Sequence, residues 1–379
     1  MSIVVKEVST KKELREFVKF SIDLYKDNPY YVPELITDEM EILSKDKNPA
    51  FELCDAVCFL AYRDGKIVGR IAGIINHSSN EVWKEEYARF GFVDFIDDAE
   101  VVDALFSAVE KWALEKGMKT LHGPLGFTDM DNEGMLVDGF DQLGTMATIY
   151  NYPYYPVHME RMGFVKDQDW HEFKIYIPDG VPEKHLRIGE IVKKKYGLQV
   201  RKFKNAKEIM PYAQRIFEAL NAAFAPLYGF APLSQKQIDY YVKKYIPMLR
   251  FELVTVIIRE EDDAVVGFGI SLPNMSKALQ KARGSMFPFG WYYLFKALLS
   301  KPKVVDLYLA GVLPEYQGKG VNALLFNDLI PVYKKIGTVY AESNPELETN
   351  NAVQAQWDYF KREHHKTRRA FIKHLTTEN

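Results

Sequence analysis

Cysteine is scarce in this sequence, with only Cys54 and Cys58 among 379 residues. Two cysteines are too few for a disulfide framework or a thiolate metal site, so we expect no bound metal and a reducing environment. The chain also lacks an uncharged apolar run of ~18 residues, the length that spans a bilayer, and a basic N-terminal region followed by an apolar core. We therefore predict a cytoplasmic protein without a transmembrane segment or an export signal.

An excess of charge of either sign is missing as well. The chain has 49 lysines and arginines against 52 aspartates and glutamates, a formal net charge of −3. Proteins that bind nucleic acid usually present a basic surface, so this balance predicts no nucleic-acid partner. Hydrophobic residues are abundant, at 47% with 14% aromatic, which is enough for two domains with cores of their own.

The pattern of apolar residues predicts an α/β chain in which one order of elements occurs twice. Hairpins at 55–75 and 253–272 contain similar stretches, Gly65–Gly73 and Asp263–Ser271, and a helix and a short strand follow each. We interpret this as a tandem duplication, although two unrelated hairpins would also look alike. The predicted boundaries are 1–178 for the N-terminal domain, 179–197 for a connecting segment with a helix at Glu183–Tyr196, and 198–379 for the C-terminal domain.

In the C-terminal half, a predicted strand, Val304–Val312, leads through a loop into a predicted helix, Gly318–Lys335. Glycines let the backbone approach a ligand closely, and the unpaired N–H groups of a first helical turn attract an anion such as a diphosphate. The alternative interpretation is an ordinary helix cap. The residues of this loop predicted to bind the ligand are Gln317, Gly318, Lys319, Gly320, Val321, Asn322 and Ala323.

This loop resembles the acetyl-CoA motif of the GNAT acyltransferase superfamily, Gln/Arg-x-x-Gly-x-Gly/Ala. Gln317 and Gly320 match the motif, whereas Asn322 departs from its final small residue. Nearly the whole chain resembles a group of bacterial tandem GNAT-like proteins, through its Gly-Pro-Leu, Asn-Tyr-Pro-Tyr-Tyr and Arg-Arg-x-Phe-Ile-Lys segments. The resemblance implies two tandem GNAT-like α/β (α+β) domains, each a mixed, mainly antiparallel twisted sheet flanked by helices.

The resemblance also implies features of a site. Acetyl-CoA or another acyl-CoA would be the co-substrate, strand 304–312 would splay from strand 339–342, and the Val312 N–H would polarise the thioester carbonyl. In the superfamily, a helix beyond these strands carries a tyrosine that protonates the departing thiolate. Aligning Asn350 with the start of that helix places Trp357 at the tyrosine position, so the usual acid is missing. Glu342 and Asn344 remain as the candidate catalytic residues.

In the N-terminal half, Asp94–Glu100 stands where the phosphate loop would be. Its four carboxylates would repel coenzyme A, and they suit the start of a helix, which predicts a structural cap at Asp98.

Two long irregular segments are candidates for binding substrate. The first is the run 123–156, in which Asp129–Tyr155 is predicted to hold an amine acceptor near the domain interface, because carboxylates can bind or deprotonate an amine. The alternative is a surface loop with capping aspartates. An insertion at Pro273–Lys303 carries the aromatic run Met286–Phe295, which covers a core, lines a slot for an acyl chain or touches a membrane. The predicted substrate residues are Asp129, Asp131, Glu133, Asn151, Tyr154 and Tyr155.

The sequence thus predicts an enzyme, an acyl-CoA-dependent N-acyltransferase that moves an acetyl or other acyl group to a small-molecule or peptide amine. The missing tyrosine keeps open a non-catalytic coenzyme A-binding or scaffold protein. Tandem GNAT-fold proteins can also transfer amino acids from charged tRNA, but the acidic balance of this chain argues against that activity. The sequence leaves both a monomer and a homodimer open.

Overall fold

The chain folds into two compact units. The structure is a computed structural model that describes residues 2–376. Unit 1 contains the chain up to His171, Met275–Leu294 and the chain from His365 onward, and unit 2 contains Glu172–Asn274 and Phe295–His364. Mostly antiparallel strands and α-helices build both units, which confirms the predicted fold class.

The N-terminal half of the chain supplies most of unit 1. In chain order its elements are β1 (Val4–Glu7), α1 (Lys11–Leu24), α2 (Ile36–Ile42), β2 (Cys54–Arg63), β3 (Lys66–Asn76), α3 (His77–Trp83), β4 (Tyr87–Phe95), α4 (Ala99–Glu115), β5 (Thr120–Gly123), β6 (Met135–Asp138), α5 (Tyr154–Arg161) and β7 (Val165–Tyr176). Asp64 and Gly65 make the predicted β2–β3 turn with φ of 51° and 76°, the left-handed pair that an Asp-Gly hairpin turn requires.

The second half repeats this order. Its elements are α6 (Glu183–Tyr196), β8 (Leu198–Arg201), α7 (Ala206–Phe224), α8 (Gln235–Tyr245), β9 (Val254–Arg259), β10 (Val265–Pro273), α9 (Ser276–Ala282), α10 (Gly290–Leu299), β11 (Val304–Val312), α11 (Asn322–Ile336), β12 (Tyr340–Ser343), β13 (Glu346–Leu347), α12 (Asn351–Gln354) and β14 (Arg362–His374). Among the described residues, no helix combines the length and the apolar character needed to cross a membrane.

The sheets of the two units have the same topology. In unit 1 the strand order is β1-β2-β3-β4-β5 and then the C-terminal part of β14, and only the β4–β5 pair is parallel. In unit 2 the order is β8-β9-β10-β11-β12 and then the end of β7, and only the β11–β12 pair is parallel. The matching orders agree with the duplication inferred from sequence.

The units differ from the predicted contiguous domains. Residues from His365 onward belong to unit 1, because the end of β14 pairs with β5, with Phe371 opposite Gly123. Residues 275–294 also belong to unit 1, where the Gln280 Nε2 donates to the carbonyls of Pro29 and Tyr31. The predicted connecting helix, α6, is part of unit 2. Sequence periodicity cannot reveal these assignments, because pairing between distant strands leaves no local pattern.

Candidate functional site

The two parallel strands of unit 2 separate halfway along β11. They pair from Val304 opposite Tyr340 to Leu307 opposite Ser343, where β12 ends, whereas β11 continues for five more residues to Val312. The Asn344 side-chain amide donates to the Tyr308 carbonyl just beyond the last pair. The parallel pairing therefore ends where the resemblance predicts a splay, and the Asn344 amide lies at the start of that region.

The edge of β11 that faces the splay carries backbone N–H groups directed into it. Tyr308 is a bulged residue, since Leu307 and Leu309 oppose consecutive residues of β10. Beyond the bulge, Gly311 pairs with Phe268, and the Leu313 N–H donates to the Val266 carbonyl at 2.9 Å. N–H groups alternate in direction along an antiparallel strand, so the Val312 N–H points away from β10 and towards the splay.

The loop after β11 brings a helix N-terminus to the end of this edge. α11 begins at Asn322 rather than at the predicted Gly318, because Gly318 and Gly320 adopt left-handed φ of 70° and 82°. A Cβ at Gly320 would lie 2.7 Å from the Ile188 Cγ2, so a side chain there requires a shift of α6. At Gly318 no atom lies within 4 Å of the Cβ position, so the loop is open on that side.

The first turn of α11 leaves donors for a ligand. The Ala323 and Leu324 N–H groups donate to the carbonyls of Gly320 and Val321, so the hydrogen-bond ladder of the helix begins there. The N–H groups of residues 320–322 precede that ladder and lie at the positive end of the helix dipole. This geometry suits an anion such as a diphosphate.

The side chains of the loop support it in different ways. The Gln317 Nε2 donates to the Val312 carbonyl at 3.0 Å and ties the loop to the strand end. The exposed Lys319 places its Nζ 5.5 Å from the ring centroid of Tyr196, beside the open face of the loop. Val321 and Ala323 are 1% and 2% exposed, so they contribute backbone and core packing, and Asn322 is half-buried as the first helical residue.

Sequence reasoning missed a buried carboxyl group that follows β12 in the chain. Glu346 lies two residues after Asn344, and its Oε1 accepts a hydrogen bond of 2.7 Å from the Trp357 indole N–H, while its Oε2 is buried without a partner among the described residues. Burial raises the pKa of Glu346 to about 8, although the Trp357 hydrogen bond and the Arg362 charge oppose this shift. A carboxyl that exchanges its proton near neutral pH is suited to acid–base catalysis.

Trp357 itself lies in a short structured segment. The Asn350 side chain caps α12, as expected, but α12 ends at Gln354 and a 3-10 turn, Ala355–Tyr359, follows. The indole packs against Phe326 of α11 with ring centroids 5.8 Å apart. The indole N–H of Trp357 therefore holds the Glu346 carboxyl group in place, a contact that no local sequence pattern signals.

The two predicted catalytic residues have different surroundings. Glu342 is 4% exposed and lies within β12, opposite Asp306 of β11 and Lys174 of β7. The amide of Asn344 is used by the Tyr308 carbonyl, so this residue positions β11 rather than donating to a substrate.

An apolar pocket lies on the face of the unit 2 sheet opposite α11. Leu325 of α11 comes within 3.4 Å of the Cβ position of Gly269, whereas the next residue, Ile270, points to the other face and lines the pocket. The pocket encloses about 510 Å³, part of it open to solvent. The bulge of β11 forms part of its wall, and its lining is Ile209, Ala213, Ile216, Phe217, Tyr241, Val242, Tyr245, Ile246, Leu249, Ile270, Leu272, Tyr308 and Leu309.

Unit 1 fills the corresponding splay with its own residues. Parallel pairing of β4 and β5 ends at Arg89 opposite His122, and the following segment crosses the gap, with the Leu125 N–H donating to the Phe90 carbonyl at 2.9 Å. A Cβ at Gly91 would lie 2.3 Å from the Leu125 carbonyl oxygen. Such close backbone contact leaves no room for a second ligand along β4.

The acidic segment of unit 1 is structural. The Asp98 Oδ1 accepts hydrogen bonds from the Glu100 and Val101 N–H groups, which confirms the predicted cap of α4, and its Oδ2 pairs with Arg63 at 2.6 Å. Asp94 is buried and bound to the Arg70 guanidinium at 2.7 Å. These carboxylates bind groups of unit 1 itself, which is a structural role.

We expect Asp98→Ala to lower the free energy of unfolding by about 1 kcal/mol, because the α4 N–H groups lose their acceptor. Coenzyme A affinity should stay within about twofold, since the glycine loop that is the candidate coenzyme A site lies in the other half of the chain. Urea denaturation and titration calorimetry measure the two effects, and Asp98→Asn, which keeps an acceptor, is the matched control. A large loss of coenzyme A binding in Asp98→Ala would contradict the structural role.

Three of the predicted substrate residues are engaged inside unit 1. The Asn151 side chain bonds the Leu136 N–H at 2.7 Å and the Leu136 carbonyl at 3.0 Å. The Tyr155 hydroxyl accepts from the Phe95 N–H, and the Tyr154 hydroxyl donates to the Phe95 carbonyl. Asn151 and Tyr155 are 2% and 0% exposed, so their hydrogen-bonding capacity serves the fold rather than a substrate.

The predicted acidic residues lie close together in the loop after Gly126. The Asp131 Oδ2 accepts from the Phe127 and Thr128 N–H groups and so caps a turn, as the alternative interpretation expected. Burial and the neighbouring Asp129 carboxylate raise the pKa of Glu133 well above its usual value. These contacts support a structural role for Asp131.

No family model matches the chain. Protein YghO of Escherichia coli strain K12 is 28% identical over 378 residues, 98% of this chain and 95% of that protein. A bacterial ceramide synthase of Caulobacter vibrioides is 26% identical over 377 residues, 97% of this chain and 96% of that protein.

Among solved structures, a tandem GNAT protein from the clavulanic acid biosynthesis pathway is similar over the full length of both chains. Its TM-score is 0.57 and its sequence identity is 13%, a level at which the likeness concerns the fold. The repeated sheet order, the splay and the glycine loop agree with this comparison. The chain therefore has the tandem GNAT fold.

Proposed function

We propose that unit 2 is an acyl-CoA-dependent N-acyltransferase. The observation that carries the proposal is the continuity of the exposed β11 edge with the open glycine loop of α11. A diphosphate at the N-terminus of α11 would leave the pantetheine arm to run along the N–H groups of β11. The thioester carbonyl would then lie near the Val312 N–H, which stabilises the negative charge that develops on its oxygen.

The acyl group that we propose is longer than acetyl. A ligand whose phosphates lie at α11 and whose arm passes through the splay reaches the opposite face of the sheet, where the apolar pocket begins at Tyr308 and Leu309. That pocket suits a hydrocarbon chain, because its lining is apolar and extends from the strand edge to α7 and α8. The name of the Caulobacter vibrioides relative, a ceramide synthase, also indicates a long-chain amide product.

Acyl transfer in this arrangement requires one proton to move. The neutral amine of the acceptor attacks the thioester carbonyl, a C–N bond forms and the C–S bond breaks. The Glu346 carboxylate takes the proton from the amine and returns it to the departing thiolate, so the carboxylate is regenerated. Trp357 is a positioning residue in this scheme, because it acts only through Glu346.

We expect affinity for acyl-CoA to rise with chain length from acetyl to dodecanoyl, by up to about fourfold for each methylene that the pocket buries. Titration calorimetry with coenzyme A and acyl-CoAs of increasing length measures the series. Ala213→Phe should abolish the gain, because Ala213 lines the pocket and a phenyl ring would occupy it.

The matched control for Ala213→Phe is Ala206→Phe, at the exposed start of the same helix. This control should leave the dependence of affinity on acyl-chain length unchanged. Coenzyme A itself should bind Ala213→Phe within about twofold of the unsubstituted protein, since the loop at α11 is untouched. Binding of coenzyme A without any dependence on chain length would overturn the pocket assignment. A failure to bind coenzyme A at all would overturn the proposed function.

A non-catalytic coenzyme A-binding protein is the second candidate, and the indole at the tyrosine position favours it. Release of free thiol from octanoyl-CoA, followed with a panel of short- and long-chain amines, separates the two. Turnover that depends on an amine supports the transferase, whereas tight binding without turnover supports the second candidate. Mass spectrometry of ligands that co-purify with the protein identifies the acyl group directly.

A further inference from the structure

Aromatic side chains are exposed on a short segment of unit 1 that the proposed activity does not use. Phe287 and Phe289 are 79% and 65% exposed, and Trp291 and Tyr292 are 48% and 47% exposed. Soluble proteins rarely leave several large aromatic side chains together in water. This group, called here the aromatic patch, consists of those four residues at the start of α10.

The protein holds the aromatic patch in place. On its N-terminal side, α9 is anchored by the Ser276 hydroxyl, which donates to the Gly144 carbonyl at 2.8 Å, and by Gln280. The Trp291 indole N–H donates to the Pro288 carbonyl at 3.0 Å, so the ring can enter an apolar medium without leaving a donor unpaired. The patch is thus an ordered display of apolar rings rather than a loose loop.

Along the sequence, the aromatic patch has basic but no acidic neighbours. From Ala264 to Val305 the sequence contains no acidic residue and six basic ones, in a chain whose net charge is −3. The basic residues are Lys277, Lys281, Arg283, Lys296, Lys301 and Lys303. A second copy of the chain would bring two such positive segments together in a symmetric contact, and like charges oppose that arrangement.

We propose that the aromatic patch, with the basic residues Lys277, Lys281 and Arg283 that precede it in unit 1, docks the protein on the surface of an anionic lipid membrane. Aromatic side chains partition into the headgroup region, and lysine and arginine are attracted to anionic lipids. α10 has 10 residues and is about 15 Å long, half of the ~30 Å hydrocarbon thickness, so the docking is interfacial. This inference is independent of the proposed acyltransferase activity.

Co-sedimentation of the full-length protein with vesicles tests the proposal. We expect binding to phosphatidylcholine vesicles with about 30% phosphatidylglycerol to exceed binding to pure phosphatidylcholine by about tenfold or more at ~0.1 M salt, and to weaken at ~0.5 M salt. The double variant Phe287→Ser/Phe289→Ser should bind anionic vesicles about tenfold or more weakly, because two exposed rings are lost.

The matched control is Val157→Ser/Val165→Ser, which removes two apolar side chains that are 63% and 62% exposed elsewhere in unit 1. It should bind vesicles as the unsubstituted protein does, and melting curves check that both double variants are folded. The proposal is overturned if the protein does not bind anionic vesicles, or if the two double variants bind these vesicles equally well. It is also overturned if analytical ultracentrifugation shows that the unsubstituted protein is a dimer and that Phe287→Ser/Phe289→Ser is a monomer. A second copy of the chain would then cover the patch.

Discussion

Gly318→Asp is expected to weaken coenzyme A binding by roughly 30-fold or more, about 2 kcal/mol, once solvent screening of the exposed charge is allowed for. The added carboxylate would stand in the loop that we propose for the diphosphate, so like charges would repel. The fold should tolerate the change, because no atom lies within 4 Å of the Cβ position and aspartate accepts a left-handed φ better than most residues.

Gly318→Asn is the matched control for this prediction. Asparagine has nearly the same shape and the same tolerance of the backbone conformation, but it carries no charge. Titration calorimetry should therefore find that Gly318→Asn binds coenzyme A about as tightly as the unsubstituted protein does, whereas Gly318→Asp binds it far more weakly. The difference in affinity between the two variants should decrease as salt is added, because salt screens the charge. Equal losses of coenzyme A affinity in both variants would indicate a steric effect. If both variants kept the affinity of the unsubstituted protein, the diphosphate would have to bind elsewhere.

Glu346→Gln is expected to lower kcat by about 10²- to 10⁴-fold, the usual contribution of a general acid–base group. The glutamine keeps the acceptor oxygen for the Trp357 indole but cannot move a proton. Burial raises the pKa of Glu346 to about 8, and the attacking amine needs the carboxylate form. Activity of the unsubstituted protein should therefore rise with pH through about 8, whereas the residual activity of Glu346→Gln should lack that step.

Stability provides the control for this assignment. The folded protein retains the Glu346 proton between pH ~4.5 and ~8, where the unfolded chain releases it. The stability that this group contributes is complete below pH ~4.5 and is lost as the pH rises through ~8, so Glu346→Gln should become relatively more stable over that range. Thermal melting at several pH values measures the difference. A pH–rate step that persists in Glu346→Gln would assign it to another group.

Trp357→Phe separates positioning from catalysis at the same site. Phenylalanine retains packing against Phe326 but removes the indole N–H that lowers the Glu346 pKa. The pH–rate step should therefore move upward. If Trp357 had a purely structural role, Trp357→Phe would change the stability of the protein but would leave the pH–rate step at the same pH.

Several local features follow from short stretches of sequence. The turn at Asp64 and Gly65, the strand Val304–Val312 and the cap at Asp98 all agree with prediction, because each depends on residues within one or two turns of chain. The start of α11 was predicted four residues too early, since two glycines with left-handed φ delay the helix. The substrate residues Asn151 and Tyr155 were chosen for their chemistry, and burial assigns that chemistry to the fold.

The sequence by itself determined the duplicated order of elements and the single glycine loop, because turn residues, apolar periodicity and helix-start signals are local. Only the tertiary structure decided which unit each strand completes, since the pairing of Phe371 with Gly123 joins residues far apart in the chain. The same holds for the pocket between β11 and α7, and for Glu346, whose pKa depends on burial and on a tryptophan eleven residues away. Local patterns fix elements, whereas burial and long-range contacts fix the chemistry of the groups that those elements carry.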